Sequence, residues 1–203
     1  LVETSAVKSP TNDSTPNYTF VSSEAGTITY SGSCSSSTTS AIAGTNTINL
    51  NTLSEGTYSD CKITVTDSLE NSVTLSIGSF EIDTTAPTVN SFTTSADNQS
   101  AVAITENMIV TFSEEMDTTT VTTNTDNTSC SGTLRVSSDN FSSCIQMSSS
   151  SPVSSDYITF TLDPSDNLTG GTTYKTRVTT GVTDSAGNAL SSQYDNSTEF
   201  TTQ

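Results

Sequence analysis

The sequence holds no histidine and no tryptophan, only five prolines, and five lysines and arginines against 22 aspartates and glutamates in 203 residues. Each shortage excludes something. Without histidine, general-base catalysis by imidazole and imidazole-held metal are both ruled out within this chain. With a net charge of −17, nothing can neutralise a phosphate backbone, so nucleic acid is not a partner. No apolar run approaches the roughly 20 residues of a membrane helix, so this segment is not expected to insert into a membrane. No glycine-rich phosphate loop is present. Paired carboxylates could in principle cleave a glycosidic bond, but the acidic residues fall mostly in turn sequences and there is no tryptophan platform for a sugar. The chain reads as non-catalytic.

What is present is hydroxylic. Serine is counted 38 times and threonine 42 times, a composition shared with disordered, mucin-like stalks. The scarcity of proline and the spacing of the apolar residues argue against a stalk. Tyr18 and Phe20 alternate, as do Ile28 and Tyr30, Ile63 and Val65, and Val73, Leu75 and Ile77. Later come Val102 and Ile104, then Met108, Val110 and Phe112, then Ile158, Phe160 and Leu162. Period-two bursts separated by Gly, Asn, Asp and Ser predict short strands joined by turns. Threonine suits strands too, being β-branched. No stretch combines a 3.6-residue apolar period with helix-forming composition. The expected class is all-β.

Four cysteines, Cys34, Cys61, Cys130 and Cys144, include no CxxC pair, so neither a zinc ribbon nor a thioredoxin-like site is indicated. An even count in an acidic, hydroxyl-rich chain points to an oxidising compartment. Of the three pairings that four cysteines allow, Cys34–Cys61 and Cys130–Cys144 are expected, because each bridge then lies within one domain. The sequence opens at Leu1 without Met, a basic n-region or an apolar h-region, and is read as a mature product or an excised segment. The Asn-x-Ser/Thr sequons, at Asn17, Asn127 and Asn196 among others, are no more frequent than this composition produces by chance.

A boundary is expected near Ala86, after Phe80-Glu-Ile-Asp-Thr-Thr-Ala-Pro87, since proline cannot continue a ladder as donor. This divides the chain into 1–86 and 87–203. The halves echo one another in order. Leu53-Ser-Glu-Gly-Thr-Tyr58 answers Leu168-Thr-Gly-Gly-Thr-Thr-Tyr174, and Val65-Thr-Asp-Ser-Leu-Glu-Asn71 answers Val182-Thr-Asp-Ser-Ala-Gly-Asn188. Thr19-Phe20 before Ser23-Glu24 answers Thr111-Phe-Ser-Glu114. Each half reads as a turn feeding a long strand, a hairpin closed by Asp and Asn through Asx-turn chemistry, and a last strand carrying Phe80 or Phe200. About seven short strands per half is the pattern of an immunoglobulin-like sandwich.

At these residues the first half resembles the bacterial Ig-like repeats of large surface proteins, through Leu53–Tyr58, Val65–Asn71 and the DTTAP-type junction at Ile82–Pro87. The second half resembles the S-layer-type bacterial Ig-like domain. Val110-Thr-Phe-Ser-Glu-Glu-Met-Asp117 matches that family's VTFSEPMD pattern with Glu115 in place of Pro, and Leu168–Tyr174, Val182–Leu190 and Glu199–Thr202 match further blocks. Residues 118–155 match only loosely. The resemblance implies two tandem immunoglobulin-like β-sandwiches, end to end, in an extracellular or cell-surface bacterial protein.

The function expected is that of a structural spacer or stalk in an adhesin-like protein. Its partners would be neighbouring Ig-like domains or subunits, with a host or surface glycan or protein as a further candidate. In such a sandwich the B–C and F–G loops share the pole where strand A begins. That pole would gather Asp83, Glu114, Asp117, Asp184 and Asn188, hard oxygen donors of the kind Ca²⁺ takes; ordinary solvated Asx turns are the competing reading. Glu24, Asp67 and Asn71 are the analogous set in the first half. Leu1–Val7 reads as strand A of the first sandwich, or alternatively as an exchanged strand that would build an extracellular fibre. A glycan- or protein-binding module of a secreted enzyme is the remaining alternative.

Overall fold

The computed structural model describes residues 1–94 and 99–203. The chain divides into two compact units, Leu1–Thr85 and Ala86–Gln203. Among the described residues there are sixteen strands and no helix, and therefore no helix long and apolar enough to cross a membrane. The architecture is all-β, with antiparallel sheets packed as a β-sandwich in each unit.

The first unit contains β1 (Val2–Ser5), β2 (Asn17–Ser22), β3 (Gly26–Ser31), β4 (Ser40–Ala41), β5 (Gly44–Asn49), β6 (Gly56–Tyr58), β7 (Lys62–Thr66), β8 (Ser72–Ser76) and β9 (Phe80–Ile82). One sheet has the order β1-β2-β5 and the other β4-β3-β7-β8, while β6 pairs with β9. The pairings Tyr58↔Phe80 and Ile63↔Leu75 belong to one unbroken antiparallel register. Thus β6 and β7 form one arm of a long hairpin and β8 and β9 the other.

Alternation explains how a chain with 31% hydrophobic residues builds a core. On β2, Tyr18 and Phe20 point inward and are fully buried, and Thr19 between them bonds Thr47 on the outer face at 3.0 Å. On β7, Ile63 and Val65 face the core while Thr64 meets Thr74 at 2.7 Å outside. Threonine thus supplies the solvent side of the ladder, where its branched Cβ fits the pleat. The N-terminal strand β1 lies antiparallel on β2 of its own unit, with Val2 opposite Val21. Cys34 and Cys61 are bridged, tying the segment after β3 to the start of β7. Gly32 is required nearby: at φ 80°, a Cβ there would lie 2.2 Å from the Asp60 carbonyl oxygen.

The second unit contains β10 (Val89–Thr94), β11 (Met108–Phe112), β12 (Leu134–Ser137), β13 (Thr159–Leu162), β14 (Thr173–Val178), β15 (Tyr194–Asp195) and β16 (Phe200–Thr201). One sheet has the order β10-β11-β13; in the other, β12, β14 and β15 are neighbours and β16 also pairs with β14. Phe92, Val110, Phe112, Phe160, Leu134, Val136 and Tyr174 are among its buried core. Phe112 and Phe160 meet edge to face at 5.9 Å. Cys130 and Cys144 are bridged.

One expected strand is absent. Val102 makes a single bridge to Thr202, and Ile104 lies in a turn closed by the Glu106 N–H on the Ala103 carbonyl at 3.0 Å. The Ile104 carbonyl accepts the Leu168 N–H instead of a ladder bond. Two alternating apolar residues are too short a signal to outweigh that turn.

Candidate functional site

The nominated residues sit in loops, and the carboxylates of Asp83, Asp117 and Asp184 accept backbone N–H groups of their own loops. Asp83 belongs to the first unit. Its N–H donates to the Thr11 carbonyl at 2.9 Å, and its Oδ1 accepts the Thr85 N–H at 3.0 Å.

In the second unit two turns are brought together. The Ser113–Asp117 turn leaves β11, and the Thr183–Ala189 turn caps the hairpin that β14 begins. Met116 and Asp184 form a bridge, the Asp117 N–H reaches the Thr183 carbonyl at 2.9 Å, and the Ser185 N–H reaches the Glu115 carbonyl at 3.0 Å. Glu114, Asp117, Asp184 and Asn188 therefore lie on adjoining loops. Their roles differ. Glu114 accepts the Ser113 hydroxyl at 3.3 Å. Asp117 accepts the N–H and hydroxyl of Thr119 at 2.9 and 2.7 Å. Asp184 is only 1% exposed. Its Oδ1 accepts the N–H groups of Gly187 and Asn188 at 2.7 and 2.9 Å, and its Oδ2 accepts the Asn188 amide at 2.9 Å.

The first unit repeats this turn. Asp67 Oδ1 accepts the N–H groups of Leu69 and Asn71 at 2.7 and 2.9 Å, and Oδ2 accepts the Asn71 amide at 2.8 Å. These bonds, the Asn71 side chain first, hold the Asp67 carboxyl below its ordinary range. The backbone closes alike: Asp67 N–H to Asn71 carbonyl at 2.9 Å, Asp184 N–H to Asn188 carbonyl at 3.0 Å. A carboxylate that accepts several backbone N–H groups stabilises its loop as a charged acceptor.

The other echoed block is also structural. Tyr58 stacks on Phe80 at 5.4 Å, and Tyr174 stacks on Phe200 at 5.3 Å. The Tyr58 hydroxyl donates to the Ser54 carbonyl, and the Tyr174 hydroxyl accepts the Thr169 N–H. A tyrosine at the start of this strand, bonded to backbone a few residues upstream, is the tyrosine corner of Ig-like sandwiches. Over the second half, a model of the bacterial Ig-like domain matches residues 83–202, more than half of the chain. The chain belongs to the bacterial Ig-like domain family. No curated protein matches it. Bacterial Ig-like domains are typical of surface proteins and generally non-catalytic.

Within this bacterial Ig-like domain lie further polar features that alternation did not single out. Asp139 accepts the Ser143 hydroxyl and N–H and the Ser137 hydroxyl, which lowers its carboxyl to about 2. The turn it organises holds Phe141 at φ 66° beneath Arg177, whose guanidinium lies 3.8 Å from the ring centre. Arg177 also grips Asp195 through two bonds, at 2.6 and 3.1 Å. The only sequence signal for this arrangement was the rarity of arginine in so acidic a chain.

Proposed function

We propose that the chain is a spacer segment of a secreted or cell-surface bacterial protein, adhesin-like and non-catalytic. Its sandwiches follow one another along the polypeptide and carry a binding head borne elsewhere. The observation that supports this most is that each unit has a closed hydrophobic core and an internal disulfide of its own. A module so built folds and bears load without help from its neighbour. The tandem Ig-like reading of the first unit and the S-layer-type affinity of the second belong to the same proposal. So does an extracellular setting, which the bridges support because such bonds persist under oxidising conditions. Net charge of −17 keeps a spacer soluble. Occupation of the second unit's acidic loops by Ca²⁺, through Glu114, Asp117, Asp184 and Asn188, is a further part of it.

Glycan arrays and surface-immobilised polysaccharides test the spacer against a binding module. A spacer gives no saturable binding below about 1 mM, whereas dedicated recognition gives micromolar or tighter dissociation constants. Saturable micromolar binding that depends on residues of one loop would replace the spacer reading with a recognition module.

A further inference from the structure

Most sheet edges in the molecule are blunted. β1 carries a register shift between Glu3 and Ser5. β4 is two residues long. β5 is covered only at its end, where the Asn49 carbonyl accepts the Ser36 hydroxyl and, just beyond, the Asn51 N–H bonds the Ser35 carbonyl. In the second unit, Val153 bridges to Thr161 of β13, the Ile145 N–H bonds Val136 of β12, and β10 has its own register shift. β15 and β16 are two-residue pieces. Shortness, bulges, charge and loop cover are the devices by which sheet edges avoid pairing with other chains.

β8 has none of them. It is five residues, Ser72-Val-Thr-Leu-Ser76, in regular register with β7 and without charge or proline. The arm it begins is covered only further on, where the Thr11 N–H bonds Glu81 and the Asp83 N–H bonds Thr11 beside β9. Among the described residues, no loop or side chain hydrogen-bonds the outer side of β8. The direction of its backbone follows from the flanking bonds. The Ile77 N–H donates to Cys61 and the Asp67 N–H to Asn71. In an antiparallel ladder hydrogen-bonded pairs alternate, so Val73 and Leu75 bond β7, and the N–H and C=O groups of Ser72, Thr74 and Ser76 point outward. Val73 faces the core side yet remains 54% exposed, at the mouth of a cleft of about 310 Å³ lined also by Val65, Ala25 and Leu1.

We propose that β8 is a pairing edge for a second copy of this chain, joined antiparallel about a two-fold axis through Thr74. The strand complements itself. With Thr74 opposite the partner's Thr74, Ser72 lies opposite the partner's Ser76, and their outward groups satisfy one another. Val73 then lies beside the partner's Leu75 and is covered. Charge complements too. Lys62 flanks the Ser76 end, and the hairpin tip with Asp67 and Glu70 flanks the Ser72 end. Antiparallel pairing brings each lysine toward the partner's acidic tip. A closed two-fold contact of this kind ends at a dimer. The net charge of −17 per copy opposes approach, and salt screens that repulsion. The dimer is therefore weak and strengthens with ionic strength. In an array of surface-anchored copies, such pairing would join neighbouring spacers side by side.

The test uses the whole chain. At millimolar protein and about 0.5 M salt, where screening is strong, sedimentation should show dimer. Amide exchange at Ser72, Thr74 and Ser76 should slow about tenfold or more relative to micromolar protein, as expected when an open edge becomes paired. Exchange at Val73 and Leu75 should not respond. Thr74→Pro removes an outward N–H, at a position where proline is tolerated on an edge, together with the solvent-face bond to Thr64, and Val73→Lys places a charge on the contact. Both should remain folded monomers with unchanged far-UV dichroism and fast exchange at all concentrations. Exchange at the three amides that is independent of concentration would overturn the proposal. A dimer that survives in both variants would overturn it as well, because the contact would then lie elsewhere.

Discussion

The hairpin tips Asp67–Asn71 and Asp184–Asn188 share the backbone closure and both bonds from the asparagine to the carboxylate, and differ in the third donor, Leu69 in one and Gly187 in the other; they sit in opposite surroundings. The first stands in solvent, with Leu69 at its tip 80% exposed. The second is folded into the unit, with Asp184, Ala186 and Leu190 all buried and the Ser113–Asp117 turn bridged across it. They also differ at the residue before the asparagine. Both chains turn left-handed there, but the first uses Glu70 at φ 68° and the second Gly187 at φ 106°. The comparison teaches that the Asp-x-x-x-Asn pattern encodes a closure, while burial decides how much that closure is worth.

The largest effect is expected at the buried copy. Asp184→Ala leaves the N–H groups of Gly187 and Asn188 without their acceptor in a site closed to water, which should cost about 2–4 kcal/mol. Asp67→Ala loses the corresponding bonds where water can replace them, and its effect should be a small fraction of that. Denaturant melts of the two variants check the ordering. Equal costs would break the comparison, because burial would then not be what separates the tips.

The backbone difference comes next. Gly187→Ala forces a Cβ into a conformation that L residues avoid, and should cost about 1–3 kcal/mol. Glu70→Gly relieves a milder strain and admits more unfolded freedom, so it should change stability by less than about 1 kcal/mol. The same melts read both, and a larger change at Glu70 than at Gly187 would reverse the account.

Acid sharpens the contrast between units. Asp139 in the second unit has a folded carboxyl at about 2 against an ordinary 3.8, chiefly because Ser143 donates to it. A lowered folded value means that the stabilisation is fully present above the ordinary value and is lost as pH falls toward 2. The first unit has lowered carboxylates too, at Glu55, Asp60 and Asp67. Thermal melts from pH 5 to about 2 should show Asp139→Asn flattening the acid dependence of the second unit's transition only. An unchanged slope in that variant would remove Asp139 from the explanation.

The smallest effect concerns calcium. If the loops carrying Glu114, Asp117, Asp184 and Asn188 take Ca²⁺ with the roughly 10⁻⁴–10⁻³ M affinity of extracellular modules, a tenfold excess over the dissociation constant stabilises by about 1.4 kcal/mol. Calorimetry in Ca²⁺ against Mg²⁺ should raise the second unit's transition and leave the first unit's unchanged. No shift in Glu114→Gln plus Asp117→Asn, with a shift in wild type, would locate the ion. No shift in either would return these loops to ordinary turns.

Much of the fold was legible because strands write their faces into the sequence. Tyr18 and Phe20, Ile63 and Val65, and Met108, Val110 and Phe112 alternate because one face meets the core and the other meets water. Ile104 misled, since two residues of alternation carry less information than the turn that captures them. The site was legible only as residue types. The spacing of Asp184 and Asn188 is visible in the sequence, but not that three hydrogen bonds within the turn already engage the carboxylate. The stacking of Tyr58 on Phe80 and of Tyr174 on Phe200 joins residues more than twenty apart, and only the closed hairpin reveals it. The unprotected edge of β8 depends on what fails to cover it, which no local pattern reports.

The central claim is that the two units are separate sandwiches, each closed on itself and internally bridged. Single-molecule pulling from the two ends tests it most directly. Under oxidising conditions the account predicts two separate unfolding events. Reduction should then lengthen one by about 9 nm and the other by about 5 nm, the extended lengths of the segments that bridges of sequence separation 27 and 14 withhold. A single event releasing the whole chain, or increments that reduction leaves unchanged, would contradict it.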